Sequence, residues 1–266
     1  MNINIYGSIG YTILKNKNHY IILFADNHDL LKECKDNIII SKWIYNKFNS
    51  SYILLEEVER IKEIQLDEIW TESKHTQKLK ELYLNNKNNI IPVDIRPFLI
   101  PFSWESNKES KITLYNYLIK IDDFFCIKDL YIKSKLKYYD KKLILLKTFG
   151  KHFMILKYMY YNLLIKYNTY FNKYLYEIDE KILLDINILL DYIMEWYICS
   201  NIDSLQDKSN IVHTGLAHSE NIIKLLTHIY NYKIIYQYGI NYMDNIDNID
   251  STNGCVKLIN EYNKLF

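Results

Sequence analysis

The sequence predicts an α/β fold, with a mixed, mostly parallel sheet covered by helices and a large helical insertion. In the first hundred residues, short apolar runs alternate with helix-periodic segments in the order β, β, α, β, α, β. Only helical periodicity is visible over 111–199, and strand patterns then return. We expect a single domain over 1–266, with a sheet core from 1–105 and 205–240 and a helical insertion over 106–204.

Apolar spacing and turn residues predict the N-terminal elements. In order they are the strands Tyr11–Leu14 and Tyr20–Phe24, the helix Ile38–Phe48, the strand Ser51–Leu55, the helix Thr76–Leu84 and the strand Ile90–Ile95. The polar turn Lys15–His19 joins the first two strands into a predicted hairpin. Apolar residues at steps of three and four, such as Leu79, Leu82 and Tyr83, predict the helices.

The remaining elements follow from the same patterns. One helix face is visible in the recurrence of Ile182, Ile186, Leu189, Ile193 and Trp196. Phe153–Tyr176 is similar but rich in tyrosine, and we expect two to four long helices in the insertion. The strand Asn210–Val212, the helix Ser219–Tyr230 and the strand Lys233–Tyr238 complete the fold, and the tail Asn241–Ser251 is polar and poorly patterned.

Composition excludes several classes of protein. The chain has 266 residues with 49% hydrophobic content, which is typical of a globular protein. A net charge of +1 gives no attraction for nucleic acid, so none is expected as a partner. No apolar window is long enough to span a membrane, and no signal peptide is expected. The four scattered cysteines lack metal-ligand spacing and predict a reduced, intracellular chain.

A candidate site begins where the strand Tyr20–Phe24 ends. Asp26, Asn27, His28 and Asp29 follow almost directly, and an open α/β sheet presents ligands with side chains at the carboxyl ends of its strands. His28 is a candidate catalytic base or metal ligand, and Asn27 a candidate substrate-binding residue. Either aspartate could share a cation or orient the imidazole ring. The alternative is an ordinary polar turn.

The strand Ser51–Leu55 ends in two glutamates. Alternation sends Glu56 and Glu57 to opposite faces of the sheet. A carboxylate at the end of a buried strand needs a partner or a cation, so both are candidate catalytic residues and Glu57 is also a candidate metal ligand. The pattern does not decide which of the two faces the site. In the alternative, the strand has already ended and both residues cap the next segment.

Asp94 and Arg96 form a third candidate group, because residues two apart share one face of the predicted strand Ile90–Ile95. Only Arg60 and Arg96 among the 33 basic residues are arginines. Arginine suits bidentate contact with carboxylate or phosphate, so Asp94 and Arg96 are candidate substrate-binding residues. The alternative is a structural pair that bridges the sheet to the proline-rich loop.

The segment NIVHTGLAHSENII places two histidines at another strand end, just before a helix. Gly215 lets the backbone approach a ligand closely, and the helix start favours anions. His218 is the candidate site residue, whereas we expect His213 to make a structural hydrogen bond. The alternative is an ordinary connection with Ser219 as the N-cap. The other histidines are assigned to surface or helix positions: His19, His75, His152 and His228.

Together these segments resemble the superfamily that includes the TIKI and TraB/PrgY proteins, the haem-uptake protein ChaN and the erythromycin esterases. The resemblance rests on His28 in FADNHD, Glu56 or Glu57 in LLEEV, His218 in TGLAH, and Arg96. It covers about the first hundred residues and 211–238, and it implies the fold and the site location rather than the reaction.

The chain differs from this superfamily at Ala25–Asp26, where a Gly–Glu or Gly–Thr type of pair is common. It also resembles uncharacterised proteins of large DNA viruses, in the stretches HTQKLKELYL and DIRPFLIPFSWE. That second resemblance implies a location in the host cytoplasm or the virion.

Three functions are compatible with these residues. In the first, His28, one of Glu56 and Glu57, and His218 bind a divalent zinc or manganese ion, or activate water, to hydrolyse a peptide, ester or other small-molecule substrate. Arg96 then orients an anionic group. The second is a non-catalytic binding or structural viral protein, whose tyrosine-rich helices form an interface. The third is a metallophosphoesterase, suggested by Asn-His-Asp at 27–29, although its other ligand motifs are missing. The oligomeric state is not predicted.

Overall fold

The computed structural model describes residues 2–27, 37–59, 73–99, 111–126, 150–240 and 254–266. The chain divides into two compact units. The first comprises Met1–Glu57, Glu68–Val93 and Asn201–Phe266, and the second comprises Val58–Asp67 and Asp94–Ser200. The predicted α/β class is confirmed. The single-domain organisation stays a prediction, and the tail Asn241–Ser251 lies outside the described residues.

The elements are numbered in chain order. The strands are β1 Ile3–Tyr6, β2 Gly10–Asn16, β3 His19–Asp26, β4 Ile38–Ile39, β5 Ser51–Leu55, β6 Ile90–Pro92, β7 Ser209–Gly215, β8 Lys233–Tyr238 and β9 Cys255–Leu258. The α-helices are α1 Ile40–Tyr45, α2 Lys74–Asn85, α3 Arg96–Leu99, α4 Leu114–Cys126, α5 Gly150–Tyr167, α6 Glu180–Ser204, α7 Leu216–His228 and α8 Asn260–Asn263. Short 3-10 turns occur at Asn168–Tyr170 and Leu175–Glu177.

A six-stranded sheet forms the centre of the first unit, in the order β6-β5-β7-β3-β2-β8. The strands β6, β5, β7 and β3 are parallel, and β2 and β8 are antiparallel additions. The predicted hairpin is confirmed as β2 and β3. The apolar run Ile21–Ala25 in β3 is fully buried, as expected for a strand covered on both faces. The parallel strands bring the carboxyl ends of β3, β5 and β7 to one edge.

A second sheet of three strands has the order β4-β1-β9. Ile3 of β1 lies opposite Leu258 of β9, and Tyr6 lies opposite Cys255. Neither β1 nor β9 was predicted from the sequence. Cys255 is disulfide-bonded, which corrects the expectation of a fully reduced chain. Disulfides are rare in the cytosol, so this bond does not support the predicted intracellular location, which stays a prediction.

Several element boundaries differ from the predictions, and three of these differences change how a segment is interpreted. The predicted helix Ile38–Phe48 begins two residues later, because Ile38 and Ile39 pair with β1 instead. The strand β6 ends at Pro92 rather than at Ile95. The helix α7 begins at Leu216 with Gly215 as its N-cap, not at Ser219. Ser219 is buried in the helix, where its hydroxyl lies 2.9 Å from that of Thr214.

The second unit is helical in its described part, as predicted. An aromatic cluster joins its helices: the ring centroids of Phe125 and Tyr160 lie 5.3 Å apart, and those of Phe153 and Trp196 are also 5.3 Å apart. A buried isoleucine and leucine face on α6 packs beside it. Among the described helices, none has both the length and the apolar character needed to cross a membrane.

We expect buried His152 on α5 to make stability depend on pH. Burial disfavours the imidazolium and lowers the pKa of His152 to about 4. An unfolded histidine titrates near 6.5. Between these values the unfolded chain binds more protons, so lowering the pH from about 6.5 to about 4 should cost on the order of 3 kcal/mol. Urea unfolding at several pH values measures this loss.

The replacement His152→Leu should remove one proton from the difference in bound protons between the unfolded and folded chain. The free energy of unfolding should then vary less steeply between about pH 4 and 6.5. His228→Ala, at an exposed helical histidine on α7, provides the comparison. If both variants keep the slope of the parent protein, His152 does not titrate in the way that its burial indicates.

Candidate functional site

The ends of three parallel strands meet at one edge of the six-stranded sheet. His213 of β7 lies between Leu55 of β5 and Phe24 of β3, and Asp26 lies opposite Gly215. Among the described residues, the polar side chains at the ends of these strands therefore lie at one edge of the sheet, as expected. His28 lies outside the described residues, and the substrate-binding role of Asn27, directly after β3, stays a prediction.

Glu56 and His218 form the centre of this edge. The backbone N–H of Gly215 donates a 2.7 Å hydrogen bond to Oε2 of Glu56, and Oε1 lies 3.6 Å from Nε2 of His218. The two side chains are 10% and 12% exposed, so both are desolvated but reachable. Of the two glutamates, Glu56 is thus the one that contacts His218. The catalytic and metal-binding roles of Glu57 stay predictions.

His213 makes the structural hydrogen bond that was expected of it. Its Nε2 donates to the backbone oxygen of Gly7 over 3.2 Å, and its own backbone oxygen accepts from the N–H of Glu56 over 3.1 Å. His213 therefore ties the loop after β1 to the sheet edge. The side chain is buried beside the site.

A buried aspartate–histidine pair lies at the same edge and was not predicted. Nε2 of His75 donates to Oδ1 of Asp26 over 2.7 Å, and both side chains are fully buried. His75 lies on α2, as expected, but it is not a surface residue. It shares the buried helix face with Leu79 and Tyr83 at steps of four, and this periodicity was the available signal. His19 and His152 are also buried, whereas His228 is exposed.

Gly7 holds the loop that covers this pair. Its φ is +103°, and a Cβ atom placed on it would lie 2.8 Å from Cβ of His75 and 2.9 Å from Cγ2 of Ile40. The next residues are fixed to the end of β3, because Ser8 Oγ and the N–H of Ile9 both donate to the backbone oxygen of Ala25. Close packing at Gly7 therefore closes the sheet edge over His75.

Arg96 binds two carboxylates. Its Nε and Nη2 donate to Asp94 over 2.8 and 3.0 Å, and its Nη1 donates to Asp191 over 2.6 Å. The expectation that Asp94 and Arg96 share a strand face is wrong, because β6 has ended and Arg96 begins α3. These contacts favour the structural alternative for the pair. Substrate binding by Asp94 and Arg96 stays a prediction.

The replacement Arg96→Lys should lower the free energy of unfolding by about 1–2 kcal/mol. A single ammonium group cannot reproduce the fork that Arg96 presents to Asp94 while it also reaches Asp191. Thermal unfolding of the full chain measures the loss. Asp191→Asn is the milder comparison, since Asp191 is 38% exposed and accepts one of the three bonds. Equal stability of Arg96→Lys and the parent protein would contradict a structural role.

The described residues supply pairs of metal-binding side chains at the sheet edge rather than a complete group. No three His, Cys, Asp or Glu side chains among them are placed to share one ion. The predicted set of His28, Glu57 and His218 includes one residue outside the described part of the chain, so a zinc or manganese ion stays a prediction.

No protein-family model, curated protein or solved structure matches this chain.

Proposed function

We propose that this chain is a metal-dependent hydrolase of a peptide or ester bond, with its site at the carboxyl edge of the six-stranded sheet. One observation carries the proposal: the carboxylate of Glu56 faces the imidazole of His218 at the mouth of parallel strands, and both remain reachable from solvent. Ligand sites of open α/β sheets lie at this edge. The resemblance noted from the sequence implies the same location.

The spacing of Glu56 and His218 fits a shared ion better than a direct bond. A strong N–H···O hydrogen bond measures about 2.7–3.2 Å, whereas Oε1 and Nε2 are 3.6 Å apart. Two ligand atoms about 2.0–2.1 Å from a tetrahedral zinc ion lie roughly 3.3 Å apart. Glu56 and His218 would therefore hold the ion, together with His28, which follows β3 by two residues. The ion would lower the pKa of a bound water and polarise a carbonyl group.

The surrounding chain orients the Glu56 carboxylate. The Gly215 N–H fixes Oε2, so Oε1 is the oxygen that faces His218. The N-terminus of α7, which begins at Leu216, favours negative charge at this position. Oε1 of Glu56 would thereby be oriented toward an ion that it shares with His218. His218, in the first turn of α7, would bind that ion through Nε2.

The test combines metal analysis with hydrolysis by the full chain. We expect the purified protein to bind about one equivalent of zinc or manganese, and Glu56→Gln and His218→Ala to weaken metal affinity more than tenfold. Both variants should also lose hydrolysis of a panel of peptides and esters. The matched control is His228→Ala, at the exposed end of the same helix as His218.

Two outcomes would contradict separate parts of this proposal. If the parent protein neither retains nor takes up zinc or manganese, the proposed metal dependence is wrong. If hydrolysis persists unchanged in both Glu56→Gln and His218→Ala, the proposed site is wrong. Metal binding without hydrolysis of any substrate would favour the binding-protein alternative.

A non-catalytic binding or structural protein is the second candidate function. One observation favours it: α5 exposes large apolar side chains, including Tyr158 and Tyr161. If Glu56→Gln and His218→Ala preserve the biological role of the chain while Tyr158→Lys abolishes it, this candidate is supported over the hydrolase.

A further inference from the structure

One face of α5 exposes a line of large apolar side chains. Met154 is 59% exposed, Tyr158 66%, Tyr161 41% and Ile165 72%. Their spacing of four, three and four residues places all four on one side of the helix, which we call the α5 stripe. Contiguous apolar surface of this kind on a soluble protein marks an interaction site.

The α5 stripe is not needed to hold the second unit together. The opposite side of α5 supplies that contact through Phe153, Leu156, Tyr160 and Tyr167, all of which are buried. The ring of Tyr160 stacks on Phe125 of α4 at 5.3 Å. A helix that is apolar on two opposite sides has a second surface to bury.

We propose that the α5 stripe binds the α5 stripe of a second copy of this chain, as an antiparallel helix pair. Steps of four and three are the spacing of the apolar seam through which two helices interlock side chains. In the antiparallel arrangement Tyr158 of one copy lies opposite Tyr161 of the other, and Met154 lies opposite Ile165. Tyrosine and methionine are both enriched at interfaces between proteins.

The charges beside the α5 stripe permit this pairing in the antiparallel direction. Lys157 extends over the ring of Tyr161, with its Nζ 5.8 Å from the ring centroid. In the antiparallel pair it lies nearest the exposed Asn162 of the other copy, whereas a parallel pair would bring Lys157 against Lys157. Lys166 is already neutralised by Asp185 at 2.7 Å. A self-complementary contact of this kind closes as a two-fold dimer.

The area of the α5 stripe predicts a weak dimer. At about 200 Å² for each large apolar side chain, the exposed fractions amount to roughly 500 Å² per copy. Two copies would bury about 1,000 Å², which is the lower limit for a specific interface. We therefore expect association in the micromolar range rather than a permanent dimer.

Sedimentation velocity of the full chain tests the proposal. As concentration rises through the micromolar range, the mean mass should rise from 32.2 kDa toward twice that value. Tyr158→Lys and Ile165→Lys, both on exposed positions, should weaken association at least tenfold. Leu84→Lys is the matched control, because Leu84 is an exposed apolar helix residue of the first unit, and it should leave association unchanged.

The direction of pairing is tested by disulfide formation between single-cysteine substitutions. Mixing Tyr158→Cys with Tyr161→Cys should give more cross-linked dimer than either variant alone, as the antiparallel arrangement requires. Three results would overturn the proposal: a monomer at every concentration, a dimer that Tyr158→Lys and Ile165→Lys leave intact, or a monomer that binds vesicles of phosphatidylserine and phosphatidylcholine through the α5 stripe.

Discussion

Replacing His75 with leucine is expected to lower the free energy of unfolding by about 4 kcal/mol. The carboxylate of Asp26 is fully buried at the end of β3, and Nε2 of His75 donates to it over 2.7 Å. Leucine fills a similar volume but offers no donor, so the buried carboxylate loses this hydrogen bond. Urea unfolding of the full chain, monitored by circular dichroism, measures this loss of stability.

Two comparisons separate the lost pair from a general effect of mutation on α2. Asp26→Asn should cost only about 1 kcal/mol, because the amide oxygen still accepts from Nε2 of His75. Gln77→Leu, at an exposed position two residues along the helix, should change stability by less than about 0.5 kcal/mol. If His75→Leu costs no more than Gln77→Leu, the pair does not contribute to stability.

Replacing Gly7 with alanine is expected to cost a similar amount, about 4 kcal/mol. The φ of +103° is unfavourable for any residue with a Cβ atom. That Cβ would also lie 2.8 Å from Cβ of His75 and 2.9 Å from Cγ2 of Ile40, neither of which is the flexible end of a side chain. The loop after β1 must therefore move away from the sheet edge. Thermal and urea unfolding both measure this destabilisation.

Ser8→Ala provides the comparison in the same loop. Its hydroxyl lies 2.7 and 2.8 Å from the backbone oxygens of Gly10 and Ala25, which share its single hydrogen, so its loss should cost about 1–2 kcal/mol without affecting backbone conformation. A Gly7→Ala variant as stable as Ser8→Ala would show that the loop adjusts freely, and that Gly7 does not fix it over His75.

Local sequence patterns predicted the helices and strands that are determined by their own residues rather than by pairing with distant ones. The strands β5 and β8 have the predicted bounds, because β5 is a strand-forming run that ends before Glu56 and β8 is rich in isoleucine and tyrosine and ends before Gly239. The strands β1 and β9 are four residues each and carry no such signal. They form because Ile3 meets Leu258, a pairing that no sequence window contains. The start of α7 was misplaced because Ser219 resembles a cap but is buried beside Thr214.

The candidate site could be predicted only in part. Polar residues after buried strands identified Glu56 and His218, because the edge of a parallel sheet is implied by strand order. The backbone N–H of Gly215 binds Glu56 and so turns that glutamate toward His218. A sequence does not show which of two adjacent carboxylates a backbone N–H will bind. His75 was missed because its α2 segment carries lysines and a modest apolar face, and its partner Asp26 is distant in sequence.

The position of β7 between β3 and β5 has a consequence for how the chain reaches its native state. Leu23 and Leu54 both pair with Val212, so β3 and β5 cannot complete their pairing until a strand more than 150 residues later in the chain has been made. Until Gly215 has left the ribosome, β3 and β5 have no common neighbour, and their unpaired apolar edges can join other chains. Pairings between such distant residues also slow folding. We therefore expect the sheet to close only after β7 has been synthesised, and nascent chains of this protein to need chaperones until then.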